Sequence, residues 1–315
     1  MSRPNKPKVL AIVGPTASGK TPLSLLLAEK LRAEIISADS RQVYRQLDIG
    51  TAKPSPEDRS RIPHHFIDII DVRDEYNVAT FAADAKTTIG ELLIKKKTPL
   101  VVGGSGLYVK GIVDGFFEGP GKDEALRTKL EGDLRDFGLR KLALRLKQID
   151  PESFATMETG KPRRVIRAIE VFEQTGKPIS FWKKQQEKLS TFDVVQVALD
   201  WDRSELYRLI NHRTLSMILR GLIEEAETLK RNGYPRSLNA LNTVGYKEAF
   251  DFLEGKTSRN RMVELIQQHT RQYAKRQLTW FRADQRICWY RLEKYSDIGK
   301  IADAVLRDHP LIREN

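Results

Sequence analysis

The sequence predicts an α/β protein: a P-loop core with a parallel sheet flanked by helices, plus a helical insertion domain. Three observations predict it. Gly14-Pro15-Thr16-Ala17-Ser18-Gly19-Lys20-Thr21 lies between the apolar run Val9–Val13 and a leucine-rich stretch ending at Leu31. That is the strand–loop–helix setting of a phosphate-binding loop. Apolar β-type runs then alternate with helical patterns through the first third, as in parallel sheets. Beyond that third, the pattern turns helical and basic.

Val9–Val13 is the first expected strand, and Glu34–Ser37, Phe66–Ile70 and Pro99–Val102 are the next three. Gly103-Gly104-Ser105-Gly106 closes the fourth. Phe116 to Lys122 is rich in glycine and proline and reads as a boundary. Leu126, Leu130 and Leu134, then Leu139, Leu142, Leu146 and Ile149, recur at helical spacing. Asp150-Pro151 marks a new start, and Val165, Ile166, Ile169 and Phe172 predict an amphipathic helix ended by Gly176. Val194–Leu199 is a further strand, followed by one long helix from about Ser204 to Asn232, a helix over 259–283 and a last strand at Ile287–Tyr290. The expected domains are residues 1–120, the first core segment; 121–190, the insertion; and 191–315, the second core segment.

Composition narrows the function classes. The chain has 315 residues and is 40% hydrophobic, enough for a sizeable core. No apolar stretch approaches the roughly 18 residues of a membrane span. The five apolar residues after the basic N-terminus are too few for a signal peptide. Cys288 is the only cysteine, which rules out an intrachain disulfide or a thiolate metal cluster. The five histidines lack ligand spacing, and helix geometry would splay the adjacent pair His64-His65. A cytoplasmic setting is the expectation. The net charge is +12, and it is concentrated. Residues 121–190 hold 16 Lys/Arg against 11 Asp/Glu, and residues 259–291 hold 8 against 2. A polyanion larger than one diphosphate is the implied partner, with nucleic acid the obvious candidate; solubilising surface charge is the plain alternative.

The chemistry-bearing residues begin with the loop. Its glycines allow backbone N–H groups to curl around a diphosphate at a helix N-terminus. Lys20 would reach the terminal phosphoryl oxygens, and the Thr21 hydroxyl would hold Mg²⁺. Asp39 follows the second strand, where strand ends face the ligand crevice. Its carboxylate could hold Mg²⁺ through water, act as a general base, or merely cap a turn. No acidic residue ends the fourth run, which weakens a nucleotide-hydrolysing reading. Arg213, next to His212 in the long helix, matters only if that helix crosses the phosphate site, where a guanidinium could neutralise a leaving group. Arg271, Lys275, Arg282 and Arg286 step by helical intervals and would form one basic stripe, with Trp280 and Phe281 assigned to core. Arg163, Arg164 and Arg167 make a second basic cluster.

Together these motifs resemble the tRNA dimethylallyltransferase family, in its bacterial type, across nearly the whole chain. The resemblance rests on Gly14–Thr21, Asp39-Ser40 with Gln42 and Tyr44, and Asp48-Ile49-Gly50-Thr51-Ala52-Lys53-Pro54. It continues through Pro63-His64-His65, Gly103–Tyr108, Arg163–Val171, Val244-Gly245-Tyr246 and Lys275–Arg282. The run Asp48–Pro54 is far more specific than the loop. The resemblance implies that Gly14, Pro15, Thr16, Ala17, Ser18, Gly19, Lys20 and Thr21 hold the pyrophosphate of dimethylallyl diphosphate. Asp39 would be the general base on an adenine N6 amine. Ser105 stands where threonine is usual, keeping the hydroxyl. Arg213 would stabilise departing pyrophosphate with Lys20 and Mg²⁺. It further implies tRNA contacts at Asp39, Ser40, Arg41, Gln42, Ser105 and Arg127; at Arg163, Arg164, Val165, Ile166 and Arg167; and at Leu241, Asn242, Thr243, Val244, Gly245 and Tyr246. Lys275, Arg276 and Arg282 complete that set, and the insertion would grip the anticodon stem-loop of a tRNA. The lack of a C-terminal Cys/His finger points to a bacterial or organellar form, and a monomer is expected.

Two further classes fit parts of the sequence. A P-loop small-molecule kinase would use Asp39 as base and Arg213 as phosphate clamp, but the distant basic clusters and the absence of a nucleotide-lid motif oppose it. A non-catalytic RNA-binding protein would not need Gly19-Lys20-Thr21 together with Asp39. Within prenyl transfer, a free nucleotide is the lesser acceptor.

Overall fold

Val9 to Val13 are completely buried, because a strand without polar alternation must be covered on both faces. They belong to β1 (Lys8–Val13) of a six-stranded sheet with β2 (Ala33–Ser37), β3 (His64–His65), β4 (Thr98–Gly103), β5 (Asp193–Asp200) and β6 (Ile287–Arg291). The strand order is β3-β2-β4-β1-β5-β6, and every pairing is parallel. This computed structural model describes residues 6–115, 119–121, 123–186 and 192–310. The chain divides into two units, Met1–Val113 with Thr191–Asn315 and Asp114–Ser190. Part of the boundary expected at Phe116–Lys122 lies outside the described residues.

In the first unit, the register brings functional turns to one edge. Val13 pairs with Gly103 and Ala198, and Ser37 pairs with Val102, so β1, β2 and β4 end level. The phosphate loop, the Asp39 turn and Gly103-Gly104-Ser105 therefore leave the same side of the sheet. Only glycine fits at the end of β4: a Cβ on Gly103 would lie 2.1 Å from the Ala38 carbonyl oxygen. Ala38 N–H donates to the Val102 carbonyl (2.8 Å), locking the two strand ends together.

Two expectations change. Phe66–Ile70 is not a strand, since Phe66 and Asp68 take left-handed φ values of 64° and 59°, and the third strand is instead His64–His65. His64 and His65 are thus separated by strand alternation rather than by helix geometry. The single helix expected from Ser204 to Asn232 is two, Arg203–Leu219 and Leu222–Arg231, divided at Gly221 with φ 99°. Glycine there accepts a left-handed bend that ends the first helix.

The second unit is helical. Glu124–Ile149 is broken at Gly138 (φ 75°), so its leucines serve two short helices. Pro151–Thr156, Pro162–Thr175 and Ile179–Gln186 follow. Asp150 caps Ser153 N–H (2.9 Å) and also accepts from Ser180 N–H (3.0 Å). Gly176 ends Pro162–Thr175 in a left-handed conformation, as its sequence position predicts. The core gathers Leu130, Leu142, Leu146, Val165, Ile166 and Ile169.

Gly103→Ala should destabilise the protein by about 2–4 kcal/mol, because the added methyl meets backbone rather than a movable side chain. The urea unfolding midpoint checks this; an unchanged midpoint would show that β2 and β4 can part at no cost.

Candidate active site

The phosphate loop is held open by conformation. Gly14 and Gly19 have φ values of 130° and 95°, where side chains are strained, and Gly19 caps the helix Lys20–Leu31. Ala17, also left-handed at φ 63°, completes the curl. The loop is anchored from outside. Trp201 Nε1 donates to the Ser18 carbonyl (2.8 Å), and Gln277 Oε1 accepts from Thr16 N–H (2.8 Å). Lys20 Nζ donates to the Pro15 carbonyl (2.6 Å). Burial, then the nearby Arg213 guanidinium, lowers the Lys20 ammonium to about 7, against a smaller opposing pull from Asp39. A diphosphate would restore the full charge on such a lysine.

A cavity of about 370 Å³ opens over this loop, lined by Thr16, Lys20 and Thr21. Asp39, Ser40, Arg41 and Gln42 reach it from the end of β2. Asp39 Oδ1 accepts from Arg41 N–H (2.8 Å), fixing the carboxylate in a tight turn. Asp39 Oδ2 has no hydrogen-bond partner among the described residues. Arg213 enters from the helix Arg203–Leu219, with Thr214 and Met217. No hydrogen bond holds its guanidinium among the described residues; burial lowers its proton affinity and the Asp39 charge raises it. The helix expected to matter only if it crossed the phosphate site does cross it. Cationic groups therefore gather at the loop and a carboxylate faces them across one cavity.

Ser105 is not part of the cavity lining, but its Oγ accepts from Ser40 N–H (3.0 Å) and meets the Ser40 hydroxyl at 3.2 Å. It holds the residue beside Asp39. Asn242, Thr243, Val244 and Gly245 line the cavity, whereas Leu241 and Tyr246 are core and present no surface to RNA. Gln42 is also committed internally: Ser37 Oγ donates to its Oε1 (3.0 Å), and its Nε2 donates to the carbonyls of Thr51 and Ala52.

The run Asp48–Pro54 turns out to be a clamp. Glu225 accepts from the backbone N–H groups of Asp48, Ile49 and Gly50 (2.9–3.1 Å). Buried Lys53 donates to the Tyr44 carbonyl and to the carboxylates of Asp48 and Asp68. Gly50 has no room for a side chain against Tyr246, whose ring would lie 2.5 Å from a Cβ.

The basic stripe is shorter than its spacing predicts. The helix ends at Arg282, and Arg286 lies beyond it, paired with Asp284. Arg271 donates to Asn211 Oδ1 (2.7 Å). Lys275 is exposed, Arg276 lines the cavity, and Arg282 pairs with Asp200 (3.1 Å). Phe281 is core as expected, but Trp280 is 39% exposed, so its assignment to core is corrected. Trp280 packs over Gly106, where a Cβ would meet its indole at 2.2 Å.

Within the second unit, Val165 and Ile166 are core, so their side chains cannot contact RNA. Arg127 forms a two-pronged pair with completely buried Glu170 (2.9 and 3.1 Å). Arg167 joins the same carboxylate (2.8 Å) and donates to the Pro120 carbonyl (2.8 Å). Burial alone would raise the Glu170 carboxyl, but these arginines hold it below its usual range. Arg164 pairs with Glu158 (2.7 Å), and Arg163 is exposed.

Several cavity residues were not singled out from sequence. Ile266, Thr270, Tyr273 and Gln277 line it at spacings of 4, 3 and 4 on the helix Arg259–Arg282. That periodicity was legible beside the charges. Ile35, Ile210, Met217 and Ile266 supply apolar wall, the part the sequence left unidentified.

The comparisons fit this geometry. The family model described as IPP transferase matches residues 42–284. The chain belongs to the IPP transferase family. A tRNA dimethylallyltransferase from Alkaliphilus oremlandii is 44% identical over 304 residues, covering 96% of this chain and 97% of that one. Among solved structures, the tRNA isopentenylpyrophosphate transferase of Bacillus halodurans is 37% identical with a TM-score of 0.71, covering 98% of both chains. A eukaryotic dimethylallyltransferase captured acting on tRNA is 26% identical with a TM-score of 0.82, covering 98% of this chain and 80% of that one. In this IPP transferase the family match includes Gln42, Arg213 and Gln277 but starts after Gly14–Thr21. The phosphate loop is therefore read from its own geometry. No helix among the described residues is long and apolar enough to cross a membrane.

The Lys20 shift has a definite sign. With the ammonium lowered to about 7, binding of an organic diphosphate above that pH is expected to take up a proton. At pH 8–9, affinity should fall by up to ~tenfold per unit, as expected for one coupled proton. Titration calorimetry in buffers of different ionisation heat should show the uptake in the parent and not in Lys20→Met. Equal uptake in both would remove Lys20 as the coupled group.

Proposed function

We propose that this protein transfers a dimethylallyl group from dimethylallyl diphosphate to the N6 amine of the tRNA adenosine 3′-adjacent to the anticodon, releasing diphosphate. The observation that carries the reading is one cavity holding both Lys20 and Arg213 near the phosphate loop and Asp39 facing them. The named relatives and family membership support the same activity. A kinase or a passive RNA binder has no such support.

An exocyclic adenine amine is a weak nucleophile because its lone pair is delocalised into the ring. As its nitrogen bonds to the allylic carbon, the carbon–oxygen bond to diphosphate breaks, and the N6 proton passes to Asp39. Lys20, Arg213 and the loop amides stabilise the charge gathering on the leaving group. Ser105 keeps Ser40, and so Asp39, in place. Ile35, Ile210, Met217 and Ile266 offer the five-carbon chain an apolar wall. An adenine paired within a helix could not reach this cavity, but a loop base can be turned out of its stack.

A magnesium ion suits the oxygen donors present. Among the described residues no cluster of three or more His, Cys, Asp or Glu side chains could hold a metal alone. Thr21 is exposed beside the loop and shares the cavity with Asp39. Magnesium commonly takes few protein ligands and completes its shell with substrate phosphates and water, and Thr21 would be its protein ligand here. When bound, it supplies charge neutralisation to the diphosphate. Exposed Lys275 and Arg163 suit the RNA backbone, each on its own unit, and the protein is expected to act as a cytoplasmic monomer.

The reaction is tested by incubating the protein with magnesium, dimethylallyl diphosphate and unmodified tRNA, then weighing the digested nucleosides. A five-carbon gain on adenosine that requires the diphosphate is expected; no gain across several tRNAs that bind tightly would contradict the proposal. Asp39→Ala should lower turnover roughly 10²–10⁴-fold while sparing tRNA binding. Near-normal turnover would remove Asp39 as base. Changing Lys275 and Arg282 together to Ala should weaken tRNA binding and flatten its salt dependence. An unchanged salt slope in filter binding would return both to ordinary surface charge.

A further inference from the structure

Gln277 lies on the helix Arg259–Arg282 and is 7% exposed, yet both ends of its amide are used by backbone from two different loops. Its Oε1 accepts from Thr16 N–H in the phosphate loop (2.8 Å), and its Nε2 donates to the Gly104 carbonyl after β4 (2.8 Å). One partner is a donor and the other an acceptor, so only one orientation of the amide satisfies both. Gly104 has no space for a side chain beside it, since a Cβ would lie 2.4 Å from Gln277 Nε2. The next residue, Ser105, holds Ser40 through its hydroxyl, and Asp39 precedes Ser40. A continuous series of hydrogen bonds and adjacent residues thus runs from the diphosphate cradle through Gln277 to the carboxylate.

We propose that Gln277 is a positioning residue that sets the separation between the leaving-group cradle and the acceptor-side carboxylate. The inference rests on the transfer proposed above. Gln277 borders the cavity, but both ends of its amide are committed to backbone, so it acts through Thr16 and through Gly104-Ser105. Reaction requires an allylic carbon bound at its diphosphate end to meet an amine held at the Asp39 end. A small change in that spacing costs turnover directly. Thr16 N–H is also committed to Gln277, which fixes the loop conformation that presents the remaining amides.

The test uses Gln277→Leu and Gln277→Glu in the full chain, with thermal melting as a folding control. Leucine has a similar size but leaves Thr16 N–H and the Gly104 carbonyl without their partner. The expected result is a loss of about 10- to 100-fold in both kcat and inorganic pyrophosphate affinity, with tRNA affinity unchanged. An ionised glutamate accepts from Thr16 but cannot donate to Gly104, whereas a protonated one can do both. Gln277→Glu should therefore be impaired at about pH 8 and recover towards about pH 6, measured as a ratio to the parent at each pH.

Unchanged pyrophosphate affinity and kcat in Gln277→Leu would overturn the inference. So would a parallel loss of tRNA affinity, which would make Gln277 an RNA contact. If Gln277→Leu does not fold, a flat Gln277→Glu ratio across the same pH range overturns it and one that rises as the pH is lowered supports it. Pyrophosphate calorimetry needs no transfer, so it judges the brace even if the parent protein prenylates nothing, which would overturn the transfer reading instead.

Discussion

The crowding where β2 and β4 end sets the terms for the rest of the site. Gly103 passes so close to the Ala38 carbonyl that no side chain fits between them. The turn carrying Asp39 is consequently pressed against the turn carrying Gly104 and Ser105, and both open beside the loop that follows β1. Parallel register alone would bring these turns to one edge of the sheet. The close approach brings them within hydrogen-bonding reach, as the Ser105–Ser40 contact shows. A core decision about strand packing thereby becomes a distance within the cavity.

Around that crowding, the first unit is built of clamps that consume polar groups. Lys53 is spent on Tyr44, Asp48 and Asp68, and Glu225 on three consecutive backbone amides. Gln42 joins Ser37 to the Thr51–Ala52 backbone. These groups give the segment Asp48–Pro54 a structural explanation: it shapes one wall of the cavity. Lys20 and Arg213 differ from them. Burial disfavours the charge on both, and the nearby carboxylate compensates only in part. A site for an organic diphosphate would retain such electrostatic tension, because the ligand would relieve it.

Much of this was legible in the sequence, and the failures have physical causes. The phosphate loop was legible because its glycines and its strand–loop–helix context coincide. Asp39 was legible because a carboxylate at a strand end in a parallel sheet faces the crevice. Phe66–Ile70 has strand composition, but the two left-handed residues within it are not encoded in hydrophobic pattern. Gly221 interrupts an otherwise convincing helix, a break that a single glycine does not announce. Arg127 and Arg167 read as a basic surface, but the carboxylate they share, Glu170, could not be seen as buried from one sequence. Val165, Ile166, Leu241 and Tyr246 sit beside exposed or cavity residues in the chain, and their burial depends on tertiary packing. Gln277 was hidden differently: it lies among basic residues, and its role appears only when two distant loops converge on it.

The central claim is that one cavity places a diphosphate on the loop Gly14–Thr21 and the prenyl carbon towards Asp39. The most direct measurement is a crystal structure with magnesium and dimethylallyl thiolodiphosphate, a donor whose carbon–sulfur bond resists cleavage. The account predicts phosphoryl oxygens on the loop amides, Lys20 and Arg213, with the five-carbon chain lying between Met217 and the Asp39 side. A diphosphate bound elsewhere, or a prenyl chain directed away from Asp39, would contradict it.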